Sequence, residues 1–295
     1  MSLEHLSSSH QPESSTLVRT LRRQAFVRSM TYAGGINLIG LAASYVVNPE
    51  RNRAWSMPLV LANHSLAAPF MVGLTYAFVR LREEDRAWWD RVMRKDGARQ
   101  LMVGIVLGGG VYLAETGAAV ALGWVHFGPG GWYGPAKTAI IWTLVSHLAN
   151  LCVAWNEEML YRGYGLHSLT EAIGLPGAVV VLVPLFAWGH GEGWQTFIGQ
   201  STFGLAMTAL RLVGKSLWLP VGYHAAWNYM QTAVLGAPDA RPSLLPMHVD
   251  GPQFWLGRPG YPVPGMLSIV VNLVVATVAT FVWWHTRKQS SFHPH

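Results

Sequence analysis

Eight stretches of mostly apolar residues follow one another along this chain, and most approach the roughly 20 residues that a helix needs to cross a bilayer. They cover about 30–47, 57–80, 100–124, 137–160, 174–190, 196–213, 216–235 and 264–285. Only 12% of the 295 residues are charged, about half the share found in ordinary soluble domains. A chain of this kind cannot hide its apolar surface in one globular core. The expected fold class is therefore all-α, a polytopic membrane protein of about eight transmembrane helices around an intramembrane polar cavity. One transmembrane domain spans 30–285, between a polar basic segment, 1–29, and a tail, 286–295. The first 29 residues have no apolar core ahead of a small-residue cleavage site, so insertion is expected to begin with the first helix itself. The single cysteine, Cys152, excludes an intrachain disulfide.

Basic residues set the orientation. With the N-terminus in the cytoplasm, that side holds Arg19, Arg22, Arg23 and Arg28, seven more from Arg80 to Arg99, and Arg211, Lys215, Arg287 and Lys288. The opposite side holds Arg51, Arg53, Lys137, Arg241 and Arg258. Fifteen against five places both termini in the cytoplasm and explains the basic pI without any nucleic acid. The charged segment 81–99, with Trp88 and Trp89, reads either as a helix on the membrane surface or as a solvated connector. The Pro- and Gly-rich stretch 236–263 reads as a loop, able to cover an entrance. Tryptophans near span ends, among them Trp55, Trp124, Trp132, Trp194 and Trp218, form an interfacial belt.

Against this background the polar groups inside the spans stand out, because a charge in hydrocarbon costs several kcal/mol. Glu157 and Glu158 are adjacent, so on a helix they point about 100° apart into different surroundings. Glu158 and Arg162 are four apart and share a face, which allows an ion pair that leaves Glu157 free as a general base. The alternative puts both acids at a helix end in water. His190 follows Phe186 by one turn, either as a packed residue or as a catalyst. His224 and Asn228 also share a face, as helix–helix hydrogen-bonding groups or as donors to an oxyanion. Glu115, His64 and His147 lack partners at helical spacing and read as packing or supporting groups. No G-x-S-x-G or H-E-x-x-H motif is present, so a serine mechanism has no support.

Taken together, Glu157-Glu158 with Arg162, Phe186 with His190, and His224 with Asn228 resemble the CAAX protease and bacteriocin-processing family of intramembrane proteases. Phe203-Gly204-Leu205 to Arg211 and Ser216 to Pro220 follow the same pattern, and the family-like core covers about 140–235. The resemblance implies an intramembrane peptidase, a hydrolase of the glutamic type, with Glu157 and His190 activating water. It implies that His224 and Asn228 hold the oxyanion and that Glu158 and Arg162 orient the first carboxylate. It implies no cofactor, the alternative being zinc on Glu157, His190 and His224. The substrate would be a membrane-associated protein or peptide, a prenylated C-terminus among the candidates. The short loops and the lack of a eukaryotic retention signal point to a bacterial inner membrane. Two other classes use the same groups: a proton- or ion-coupled transporter, and a non-catalytic scaffold or immunity protein. For Glu157 and His190 to come level, the fourth helix has to continue to around Thr170 and turn near Gly174.

Overall fold

The computed structural model describes residues 12–48, 57–80, 88–128, 136–191, 193–236, 243–257 and 265–291. The long helices are α1 (Pro12–Val47), α2 (Met57–Arg80), α4 (Gly97–Ala121), α5 (Ala136–Glu158), α6 (Gly165–Trp188), α7 (Trp194–Gly214), α8 (Trp218–Tyr229) and α10 (Met266–Ser291). Two short helices, α3 (Trp88–Val92) and α9 (Gln253–Leu256), lie in the connections. Strands β1 (Val125–Phe127) and β2 (Met247–Val249) pair antiparallel, with His126 opposite His248. The chain is an all-α, multi-pass membrane protein.

Each of the eight apolar stretches is helical, with three differences from the sequence expectation. First, α1 begins at Pro12, so part of the basic N-terminal segment continues the helix instead of preceding it. Second, five stretches are long and apolar enough to cross a membrane by length and composition, one of them the 49-residue run Ile140–Trp188. Helices α7 and α8 fall outside that set, α8 being only 12 residues long. Their Gly, Thr, His and Asn residues pack against other helices, and much of both is buried. Third, Trp88 of α3 is buried against Tyr164, at 6.1 Å between ring centroids, so this helix is packed into the protein. Trp55, Trp132 and the charged run 81–87 lie outside the described residues.

The run Ile140–Trp188 is two arms. Helix α5 passes through one π-helical segment, Met159–Tyr164, and continues as the first part of α6. At Gly174 the backbone takes φ 78° and ψ 162°, a conformation that is essentially glycine-only, and the chain turns back. Leu169 and Ala178 share one small core, Gly165 lies beside Leu182, and the rings of Tyr161 and Phe186 meet edge to face at 5.2 Å. In each pair the two residues stand equally far from the turn. The same register carries Glu157 level with His190, as the depth argument requires.

Helix α8 lies along α4 at very short range. A Cβ on Gly104 would stand 2.3 Å from the Leu219 carbonyl, and one on Gly108 2.2 Å from the Tyr223 carbonyl. A Cβ on Gly222 would meet the Leu101 carbonyl at 2.2 Å. Only glycine lets the two backbones approach so closely, which is how small residues drive helix packing where lipid gives no hydrophobic force. On the side where α4 ends, Trp124 packs on Trp255, Trp194 on Phe254, and Gln195 Nε2 donates to the Phe254 carbonyl at 3.3 Å.

Candidate active site

Glu157 and Glu158 occupy the last turn of α5, and their surroundings differ as adjacent helix positions should. The Glu158 side chain is fully buried, whereas that of Glu157 is 24% exposed. Glu158 Oε1 accepts from Arg162 Nη1 at 3.1 Å and from His224 Nδ1 at 2.9 Å. Arg162 gives its other terminal nitrogen to the Gly204 carbonyl at 3.0 Å and stacks over Phe186, 4.4 Å from the ring centroid. The guanidinium therefore ties the α5 end to α7 and to the return arm of α6.

Glu158 and Arg162 make their hydrogen bonds to each other, to His224 and to Gly204. The π-helical segment begins right after Glu158. A second π-helical segment, Met230–Val234, begins two residues after Asn228.

Glu157 Oε2 stands 3.6 Å from His190 Nε2 and 3.7 Å from His224 Nε2. Both distances are too long for a direct hydrogen bond, and Oε2 is buried without a hydrogen-bond partner. The imidazoles are oriented from behind. His190 Nδ1 faces the Phe186 carbonyl at 2.6 Å, and the Phe186 ring lies 4.3 Å from the His190 ring. A carbonyl only accepts, so Nδ1 carries the proton there; Glu158 plays the same part for His224. Phe203 packs edge to face on His224 at 5.0 Å. Asn228 stands one turn beyond His224 on α8, half-buried, and its backbone carbonyl accepts from Thr232 Oγ1 at 2.6 Å. Its amide makes no hydrogen bond with a described residue.

Two imidazoles and a carboxylate, with the ring N–H groups held by a carbonyl and a carboxylate, are zinc-type donors in kind. The same groups suit general acid–base chemistry on a water molecule, beside donors suited to a developing negative charge.

Sequence reasoning picked out His64 as a packing or supporting group but could not name its partner. The Asn156 amide bonds both its Nδ1, at 3.2 Å, and its backbone carbonyl, at 3.1 Å, and the imidazole is within electrostatic reach of Glu157. No local spacing reveals a partner 92 positions away. Glu115 bonds Ser268, linking α4 to α10. His147 packs on Tyr229 at 5.2 Å.

Residues 135–230 match the family model described as Rce1-like, type II CAAX prenyl endopeptidase Rce1-like. This match agrees with the resemblance to the CAAX protease and bacteriocin-processing proteins, a family of proteases that act on membrane-associated proteins. The matched stretch contains Glu157, Glu158, Arg162, Phe186, His190, His224 and Asn228. No curated protein and no solved structure matches the chain.

Proposed function

We propose that the protein is a glutamic intramembrane endopeptidase that hydrolyses a peptide bond of a membrane-associated protein substrate, without a metal ion. The observation that carries this reading is the meeting of Glu157 with the Nε2 atoms of His190 and His224, at 3.6 and 3.7 Å, from the end of α5, the turn after α6 and the middle of α8. Glu157, assisted by His190, takes a proton from water as the water oxygen bonds to the substrate carbonyl carbon. The carbonyl oxygen becomes negative and accepts hydrogen bonds from His224 Nε2–H and the Asn228 amide. In this step His224 donates at both nitrogens, between carboxylates at 2.9 and 3.7 Å. The C–N bond then breaks, and the proton held by Glu157 passes to the departing amine.

The substrate is a prenylated C-terminus or another peptide held at the bilayer, and the setting is a bacterial plasma membrane with both termini in the cytoplasm. The test compares purified wild type with Glu157→Gln on a panel of prenylated and transmembrane peptides, with and without a zinc chelator, read by mass spectrometry. Wild type should cleave whether or not chelator is present. Glu157→Gln should lose at least about 100-fold in rate, the lower end of what a general base contributes. Loss of wild-type cleavage on chelation would move the enzyme to the metalloproteases, and full activity of Glu157→Gln would overturn the assignment of the base.

A further inference from the structure

Arg211 lies in the last turn of α7, and its Nε donates to the backbone carbonyl of Arg162 at 3.2 Å. That carbonyl stands where the first arm of the hairpin leaves helical geometry, beside Gly163 with φ −83° and ψ −117°. The guanidinium is thus turned onto the arm that carries Glu157, and the residue is half-buried. Its two terminal nitrogens make no hydrogen bond and no ion pair with a described residue. Neither nitrogen is sealed in the interior.

The neighbouring guanidinium shows the contrast. Arg162 gives one terminal nitrogen to Glu158 and the other to the Gly204 carbonyl, and it stacks over Phe186. Arg211 has a carbonyl for Nε and no carboxylate among the described residues. A guanidinium drawn partly out of water with its fork open is matched to a planar anion, which a carboxylate meets through two parallel hydrogen bonds.

Position narrows the choice of anion. A C-a-a-X end carries its prenyl group on the cysteine, with three residues and a free carboxylate beyond it. Three extended residues span about 10 Å. Arg162 follows Glu157 by five residues, about 7 Å along the helix axis, and the open fork of Arg211 projects beyond the Nε that touches the Arg162 carbonyl. The two lengths agree to within the reach of a side chain.

We infer that Arg211 receives the free C-terminal carboxylate of the substrate and so sets the cut at three residues from the chain end. The inference deepens the reading of the protein as a peptidase on prenylated C-termini and rests on it. Arg211 forms and breaks no covalent bond; it selects a chain end over an internal segment.

The test uses the full-length protein with a farnesylated C-a-a-X peptide as the free acid and as the C-terminal amide. Wild type should favour the acid by at least about tenfold in kcat/KM, the smaller end of what a hydrogen bond to a charged group contributes. Mass spectrometry should find the last three residues released intact. Arg211→Gln should bring the acid-to-amide ratio to within about twofold of unity. Arg211→Lys, which keeps the charge without the fork, should keep part of the preference. A purely structural Arg211 would lower both substrates by the same factor and leave the wild-type ratio in Arg211→Gln, which overturns the inference. Equal use of acid and amide by wild type also overturns it. A second readout needs no turnover. Fluorescence anisotropy of labelled peptides on Glu157→Gln should show the acid bound at least about tenfold tighter than the amide, with the difference gone in Glu157→Gln/Arg211→Gln. Vesicles of phosphatidylcholine with and without phosphatidylglycerol supply the last arm. The same acid preference in both supports the carboxylate. An Arg211→Gln effect confined to phosphatidylglycerol and equal for both peptides would assign the guanidinium to a lipid phosphate and overturn the inference. Full cleavage by Glu157→Gln would instead overturn the functional reading beneath it, so the two failures are separable.

Discussion

At the scale of single residues, two neighbouring carboxylates have been given different work by about 100° of helix rotation. Glu157 is partly exposed; Glu158 is sealed between Arg162 and His224. Removing one member of a buried charge network leaves the others uncompensated, at a cost of about 3–5 kcal/mol. Arg162→Leu should therefore lower the thermal unfolding midpoint in detergent by several degrees and abolish cleavage, because His224 loses the partner that Arg162 steadies. Arg162→Lys should recover only part of the stability, since one ammonium cannot serve Glu158 and the Gly204 carbonyl in the same fork geometry. An unchanged midpoint in Arg162→Leu would show that the network contributes little. The Glu158–Arg162 pair is legible in the sequence because helical neighbours at that spacing share a face. The Glu158–His224 bond is not, because its partners are 66 positions apart and meet only through the packing of α5 and α8.

At the scale of elements, the α5–α6 hairpin does most of the positioning. Its length was readable: for Glu157 to stand level with His190 the helix has to pass residue 160 and turn near Gly174, and it does. The π-helical segment at Met159–Tyr164 was not readable, since its one-residue surplus leaves no compositional trace. Nothing crowds the Gly174 position; its nearest neighbour for a Cβ is Pro176 Cδ at 3.9 Å, so backbone strain alone excludes other residues. Gly174→Ala should cost about 1–3 kcal/mol, seen as a lower unfolding midpoint, and should reduce kcat by shifting His190 against Glu157. A variant as stable and active as wild type would show that the turn is not what sets the register.

At the scale of the whole molecule, the sequence predicts eight helical stretches and eight long helices are present among the described residues, but the two most central are not the most hydrophobic. Helix α8 is shaped by its neighbour: Gly104 and Gly108 of α4 and Gly222 of α8 bring the backbones together and set the depth of His224. That spacing, Gly104-Ile105-Val106-Leu107-Gly108, is visible in the sequence as a small-residue helix-packing pattern. Which helix would fill it was not visible. Orientation is tested with the native cysteine replaced, Cys152→Ser, and single cysteines introduced. Ser14→Cys and Lys215→Cys should be protected from a membrane-impermeant maleimide added outside intact cells. Gly251→Cys, on the side of the β1–β2 pair, should react. The opposite labelling pattern would invert the molecule in the membrane.

The hairpin turn at Gly174 also bears on how the protein is made. A chain entering the membrane in order brings Glu157 and His190 together as soon as the second arm folds back. His224 and Asn228 arrive only after α7 has crossed and α8 has settled along the α4 glycines. On the reading proposed above, a partly synthesised chain holds its base without its oxyanion donors. The order of the helices then serves as a built-in delay, and the nascent protease stays inert until the groups that complete it are in place.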